Sequence, residues 1–250
     1  MFSSADLSHQ HSLKTLEALY EYDDFMQSIG TLVDLGCGTG LDLEWWATRT
    51  TRDEVPVPLN IKCTGVDLAP ELLMAYKYPN IQYYSGDFEQ PITMQKRTFD
   101  LGWCHDSFQY IINPFETLKN WWNIISENGM LIVVVPQSTN LDFNVQAFDQ
   151  VDFCYHNWTL VSLIHTLAVS GFDCASGFFL KEPDDPWIHA AVYRSAHKPM
   201  DPRTTKWYHL AEKGLIPESA VSSVEHYGYV RQRDLVLPWL DKSMRSYARH

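Results

Sequence analysis

An apolar run, Thr31 to Leu35, passes directly into Gly36-Cys37-Gly38-Thr39-Gly40 and then into a helical pattern beginning at Leu41. A strand that ends in a glycine turn and reopens as a helix constrains the fold more than any other stretch of these 250 residues. Lacking Cβ atoms, the three glycines let the backbone turn sharply and lie close against a ligand. The spacing is G-x-G-x-G, and Leu41 occupies the third position after Gly38. The dinucleotide fingerprint G-x-G-x-x-G is therefore not met, and no Lys-Ser/Thr pair follows, as a phosphate-binding loop requires. A compact adenosine-type ligand is expected in preference to NAD or ATP.

Periodicity places further elements around this turn. Leu13, Leu16, Leu19, Tyr20, Phe25 and Met26 recur at helical spacing and predict a helix over 12–29, ended by Gly30. Strands are expected at 31–35, 61–66, 81–85, 99–103 and 130–135, with helices at 41–49 and 70–77 between the first three. Asn113-Pro114-Phe115-Glu116 reads as a helix start, with Asn113 as cap and Pro114 at the first helical position. Asn128-Gly129 is expected to stop that helix. Met130 to Val135 lacks polar alternation, which points to a strand covered on both faces. A long connection, 136–157, leads to a helix over 159–170 and then to strands at 172–180 and 187–193. The link between those last strands is short and carries Pro183 and Pro186. It can close a hairpin but cannot make a parallel crossover, which needs about a dozen residues. The fold class is therefore α/β: a doubly wound sheet with one antiparallel strand. Residues 1–30 form an N-terminal helical segment, 31–197 the main domain, and 198–250 a helical extension with expected helices at 203–213, 217–226 and 237–249. That extension is too short for its own core and is expected to pack on the main domain or across a homodimer.

Charge narrows the partners. The chain carries a net −12, but unevenly. Residues 1–197 hold ten Lys and Arg against twenty-five Asp and Glu, whereas 198–250 hold nine against six. An acidic main domain repels a phosphate backbone, so nucleic acid is an unlikely partner. No stretch reaches the roughly 18 apolar residues of a membrane span. Met1 to Gln10 is polar, without the basic flank and apolar run of a secretory signal. The five cysteines are dispersed and odd in number, which suits free thiols and a cytoplasmic location. No Cys or His spacing supplies a metal site.

Taken together, Val33-Asp34-Leu35-Gly36-Cys37-Gly38-Thr39-Gly40, Gly65-Val66-Asp67, Ser85-Gly86-Asp87-Phe88, Phe99 to Asp106 and Gly129-Met130-Leu131-Ile132 resemble the successive motifs of class I S-adenosylmethionine-dependent methyltransferases. The resemblance covers about residues 31–193. It implies a seven-stranded Rossmann-like sheet, S-adenosyl-L-methionine as cofactor and S-adenosyl-L-homocysteine as product. It also implies cofactor contacts at Asp34, Gly36, Cys37, Gly38, Gly40, Asp67, Leu68, Asp87, Phe88, Trp103, Cys104 and His105. In that scheme Asp67 accepts from the ribose hydroxyls and Asp87 meets the adenine amino group. Phe88 lies against the ring, and residues 103–105 close the methionine side. Read alone, Asp34 or Asp67 could be a turn residue, and Cys37 and Cys104 are small packing residues rather than nucleophiles.

Transfer from a sulfonium needs in-line placement of a nucleophile and, for hydroxyls or amines, removal of a proton. His105 is the candidate base, because it follows the fourth strand and imidazole titrates near neutrality. Its other reading is a hydrogen bond to the cofactor carboxylate. Asp106 can orient His105 or meet the acceptor, and His156 is a second catalytic candidate. Gln109 and Tyr110 could face the acceptor, with Phe143, Phe148, Phe153 and Trp158 as apolar wall. No Asn/Asp-Pro-Pro-Tyr/Phe set follows the fourth strand, so base amino-group methylation is not expected. A small-molecule acceptor through oxygen or nitrogen is the leading expectation. A protein acceptor, or a non-catalytic assembly protein of the same fold, are the alternatives.

Overall fold

The computed structural model describes residues 4–68, 77–92, 98–137, 155–180, 187–232 and 235, with side chains from residue 12 onward. In chain order the elements are α1 (Ser4–Tyr20), α2 (Asp23–Ser28), β1 (Thr31–Leu35), α3 (Leu41–Ala47), β2 (Lys62–Asp67) and β3 (Ile81–Ser85). There follow β4 (Phe99–His105), α4 (Pro114–Ile124), β5 (Ile125–Pro136), α5 (Leu160–Val169), β6 (Phe172–Leu180), β7 (Trp187–Arg194), α6 (Trp207–Glu212) and α7 (Glu218–Tyr227). The seven strands form one sheet in the order β3-β2-β1-β4-β5-β7-β6. The pairs from β3 through β5 are parallel, and β7 runs antiparallel to both β5 and β6. The expected helices at 70–77 and 237–249, most of the 136–157 connection and the proline link 182–186 lie outside the described residues.

Strand β5 shows why the sheet is buried on both faces. Met130, Ile132 and Val134 pack with Leu16, Leu19, Met26 and Leu43 from α1, α2 and α3. Their neighbours Leu131, Val133 and Val135 pack with Leu118, Trp121, Leu163 and Leu167 from α4 and α5. Full burial of each such side chain contributes about 1.5–3 kcal/mol, which is why the run carries no polar residue. Leu210, Leu215, Ile216 and Ala220 belong to the second of these clusters. The Cys174 amide donates to the Leu215 carbonyl at 3.0 Å. Residues 198–232 thus cover one face of the sheet and share its core.

Several boundaries differ from the periodicity. The expected helix over 12–29 is two helices, α1 and α2, separated at Glu21-Tyr22. The break lets Met26 and Ile29 turn back into the core, where both are buried. The helix expected to run to Asn128 stops at Ile124, and β5 starts at once with Ile125 beside Phe99. The ladder then resumes with Met130 beside Leu101, so Asn128, at φ 62°, belongs to a bulge rather than a helix stop. The first extension helix begins at Trp207 instead of Arg203, because Thr204 and Thr205 amides are held by the Asp201 carbonyl in a turn.

Candidate functional site: a cavity at the carboxyl ends of the strands

Open parallel sheets bind ligands beyond the carboxyl ends of their strands, where β1 and β4 diverge to opposite sides of the strand order. A cavity of about 330 Å³ lies there, lined by residues at and just after the ends of β1, β2 and β4, by the start of α3 and by Phe88. Its floor is the glycine turn. The Gly36 and Cys37 amides donate to the Val66 carbonyl at 2.8 and 3.2 Å, which ties the turn to β2. The Gly38 amide donates to Asp67 Oδ2 at 3.0 Å. Ser107 braces the turn from the other side, its hydroxyl within 3.1 Å of the Gly36 carbonyl. Glycine is required at Gly36, where φ is +87° and a Cβ would meet Ser107 Oγ at 2.4 Å. Gly38 differs: a Cβ there would have nothing within 4 Å, so its backbone faces open space that a ligand can enter.

The walls are acidic. Asp34, Asp42, Asp67 and Asp106 all line the cavity, and His105 is the one imidazole among the described lining residues. Burial, and then the charges of Asp42 and Asp67, hold the Asp34 carboxyl well above the usual carboxylate range. Burial likewise pushes the Cys37 thiol far up, with Asp34 and Asp67 adding to the effect, so it stays a thiol. A cavity that repels its own carboxylates is electrostatically matched to a cation.

Strand alternation sorts the last residues of β4. Trp103 and His105 point to the α1 face, with their rings 6.3 Å apart and 19° from parallel. Trp187 of β7 lies against the same imidazole at 5.6 Å and 28°. Trp103 itself is fully buried, and its indole N–H donates to Asp42 Oδ2 at 2.9 Å. Cys104 points to the opposite face, buried in the core with Phe108 and Trp121. Asp106 adopts φ 51°, an uncommon left-handed conformation for a non-glycine residue, and accepts from Gln109 Nε2 at 2.6 Å.

The structure thus brings together Asp34, Gly36, Cys37, Gly38, Asp67, Phe88, His105 and Asp106 around one cavity. Trp103 and Cys104 stand behind the wall, and Gly40 is the left-handed cap of α3, packed beneath the Tyr83 hydroxyl. Leu68 is exposed beside Asp67. The Asp87 carboxylate accepts from the Glu89 amide at 2.9 Å and does not line the cavity, although Phe88 beside it does. His156 is also off the cavity: its amide donates to the Gln109 carbonyl, and its ring lies 5.4 Å from that of Trp158. Phe143, Phe148 and Phe153 lie outside the described residues. Asp42, Ser107 and Trp187 escaped the sequence reading. Asp42 looks like an ordinary acidic residue in a first helical turn, and Trp187 is distant in sequence, so no local signal marks either. Among the described residues no group of His, Cys, Asp and Glu could hold a metal ion, and no helix is long and apolar enough to cross a membrane.

A strand order of 3-2-1-4-5-7-6, with a glycine turn and an acidic cavity at the carboxyl ends of its strands, defines a methyltransferase-type Rossmann-like fold. Residues 33–133 match the Methyltransferase domain family, and the fold is that of the class I S-adenosylmethionine-dependent methyltransferases. It is 30% identical over 108 residues to the malonyl-[acyl-carrier protein] O-methyltransferase of Halalkalibacterium halodurans, covering 40% of this chain and 37% of that protein. It is 27% identical over 124 residues to a flavone 3'-O-methyltransferase of Chrysosplenium americanum, covering 49% of this chain and 33% of that protein. The chain thus spans about a third of the length of these curated relatives. In fold it is similar to a Haloferax volcanii methyltransferase solved with the Trm112 activator, with a TM-score of 0.58, 15% identity and coverage of 76% and 93% of the two chains. Human N-acetylserotonin methyltransferase superposes with a TM-score of 0.56 at 15% identity, covering 76% of this chain and 54% of that one. The family's cofactor is S-adenosylmethionine, and the residues present suit it. Gly38 leaves room for close approach, and the carboxylates complement a ligand that carries a sulfonium and an ammonium.

Proposed function

We propose that this chain binds S-adenosylmethionine in the acidic cavity and transfers its methyl group to an oxygen or nitrogen of a small, uncharged or cationic molecule. The observation that carries this reading is the convergence of Asp34, Asp42, Asp67 and Asp106 on one glycine-floored cavity. When bound, the cofactor supplies a methyl group on a positively charged sulfur leaving group. Asp67, already bonded through Oδ2 to the glycine turn, would hold the ribose hydroxyls, and Phe88 would supply the apolar contact for the adenine. Asp34 and the turn would receive the amino-acid end, where a positive ammonium would relieve the repulsion around Asp34. His105 stands on the acceptor side and takes the acceptor's proton.

The acceptor class follows from the placement of cations. Arg49 lies 4.3 Å over the Trp45 ring, Arg52 pairs with Glu21, Lys77 with Glu44 and Lys119 with Glu116. None of these lines the cavity. Residues 138–154, the bulk of the connection after β5, contain no Lys or Arg at all. A carboxylate or phosphate acceptor would enter such a site without a counter-charge. The O-methyltransferases among the relatives support an oxygen acceptor, with a flavone 3'-O-methyltransferase among them, and amines suit the same electrostatics.

Two measurements test this. Isothermal titration should show S-adenosylmethionine or S-adenosylhomocysteine binding, with NAD and ATP far weaker. Asp67→Ala should lower affinity at least about tenfold, since a hydrogen bond to a charged group is worth roughly 1.5–3 kcal/mol. A turnover panel of phenols, alcohols, amines and carboxylic acids should place the best acceptor among the first three. Dominant NAD binding would refute the cofactor assignment, and a carboxylic acid as best acceptor would refute the acceptor class.

A further inference from the structure

The one imidazole among the described cavity-lining residues does not stand alone. Asp42 of α3 is nearly buried, and its Oδ2 lies 3.9 Å from His105 Nδ1. That same oxygen accepts from Trp103 Nε1 at 2.9 Å, while Oδ1 accepts from Ser12 Oγ of α1 at 2.7 Å. Each carboxylate oxygen is therefore held by a neutral donor from a different element. The carboxylate cannot swing away from the imidazole without breaking both bonds. The ring in turn lies nearly parallel to Trp103 and Trp187, which restricts rotation about its own axis.

Helix α1 contributes more than one fastening. Ser12 and Thr15 are one helical turn apart on the same face, and both are fully buried. Ser12 holds Asp42, and the Thr15 hydroxyl hydrogen-bonds His189 Nδ1. His189 is paired with Val134 in β7–β5, and Val134 is paired with His105 in β5–β4, so the two histidines share one row on one face of the sheet. Helix α1 thus lies over a polar row within an otherwise apolar layer. Buried polar groups in such a layer are costly unless bonded, so their presence marks a requirement other than packing.

We infer that Asp42, fixed by Ser12 and Trp103, is a positioning residue that orients His105 through Nδ1 and stabilises the imidazolium formed when Nε2 takes the acceptor proton. This rests on His105 acting as the base, as proposed above. The proton balance is simple: the acceptor O–H or N–H proton passes to Nε2, and the positive charge that spreads to Nδ1–H faces the Asp42 carboxylate. The acceptor's bonding pair stays on its oxygen or nitrogen. Asp42 gains and loses no proton. The N-terminal helix, through Ser12, is then part of the reaction geometry rather than an appendage to the domain.

The groups facing this imidazole must be considered together. Asp42 comes from α3, Asp34 from β1, Asp67 from β2 and Asp106 from the end of β4, all lining the same cavity, with His189 beyond Val134 on β7. Asp42 is singled out because its oxygen lies within ion-pair distance of Nδ1 and is anchored on both sides.

The test reads the imidazole directly. NMR titration of the full-length protein saturated with S-adenosylhomocysteine follows the His105 ring, assigned by its absence from His105→Asn. In Asp42→Asn, whose amide oxygen can accept from Trp103 while its NH2 donates to the Ser12 hydroxyl, proton binding by His105 should weaken about tenfold or more, the scale expected for an opposite charge within about 4–6 Å. Ser12→Ala leaves the carboxylate in place but loosens it, so a smaller shift in the same direction is expected. This second variant serves if Asp42→Asn fails to fold. An unchanged His105 titration in a folded Asp42→Asn, or in Ser12→Ala when only that variant folds, overturns the inference. Failure of the parent reading looks different: His105→Asn then transfers methyl groups as fast as the unaltered protein, whatever the NMR result for Asp42.

Discussion

Asp34 illustrates how one residue couples stability to ligand binding. It sits at the end of β1, 3% exposed, with the charges of Asp42 and Asp67 nearby. Its folded-state affinity for a proton is raised, whereas in the unfolded chain it ionises in the ordinary carboxylate range. The folded protein therefore holds a proton that the unfolded chain releases, and stability falls as pH rises from that range towards the raised folded value. Without cofactor, Asp34→Asn should flatten this slope and raise the melting temperature near neutral pH relative to the unaltered protein. The same variant should bind S-adenosylmethionine more weakly, since the cation loses a partner. Melting curves taken across the pH range, paired with titration calorimetry, check both signs. A destabilised Asp34→Asn with unchanged affinity would contradict the account. The residue scale also shows where alternation decides roles. Trp103, Cys104 and His105 are consecutive, yet only His105 reaches the cavity, because strand geometry sends Cys104 to the far face.

At the scale of elements, helices outside the Rossmann-like core do distinct work on its two faces. On one face α1 brings Ser12 to Asp42. On the other, α6, α7 and the link between them cover the sheet with Leu210, Leu215, Ile216 and Ala220. Leu210 is fully buried, whereas Tyr208, two residues earlier on α6, is 51% exposed. Leu210→Ala should cost about 2–5 kcal/mol, the range for emptying a packed aliphatic site. Tyr208→Ala should change stability by about 0.5 kcal/mol or less. Denaturant unfolding of both variants measures the contrast, and equal, small effects would show the extension to be loosely attached. Other elements were legible locally. The Asn113-Pro114-Phe115-Glu116 start is realised, with the Glu116 amide donating to Asn113 Oδ1 at 3.2 Å and Pro114 as the first helical residue. The far end of that helix was not. Asn128-Gly129 carries the same signal for a helix stop and for a bulge, and only pairing of Ile125 with Phe99 chooses the second.

For the whole molecule, the acidic charge and the cavity point to ligand-linked stability. A ligand that binds only the folded state stabilises it by mass action, about 2.7 kcal/mol at a hundredfold excess over its dissociation constant. S-adenosylhomocysteine at such an excess should therefore raise the melting temperature measurably, and NAD at the same concentration should not. An equal response to both would remove the preference on which the site assignment depends. The order β3-β2-β1-β4-β5-β7-β6 sets this site, because the strand order reverses between β1 and β4 and leaves a crevice at their carboxyl ends.

The amino-acid sequence by itself determined the alternation of strands and helices, the antiparallel last strand, the glycine turn and the acidic residues at strand ends. Each of these is a local pattern: a period, a turn chemistry or a loop too short for a crossover. Only the tertiary structure decided which residues share the cavity. Asp87 is turned to the Glu89 amide, and His156 lies behind Gln109. Asp42, Ser12 and Trp187 meet at His105 from α3, α1 and β7. Separations of 30 residues between Ser12 and Asp42 and 61 between Asp42 and Trp103 leave no periodic trace, because such contacts arise from how layers pack and not from neighbouring residues.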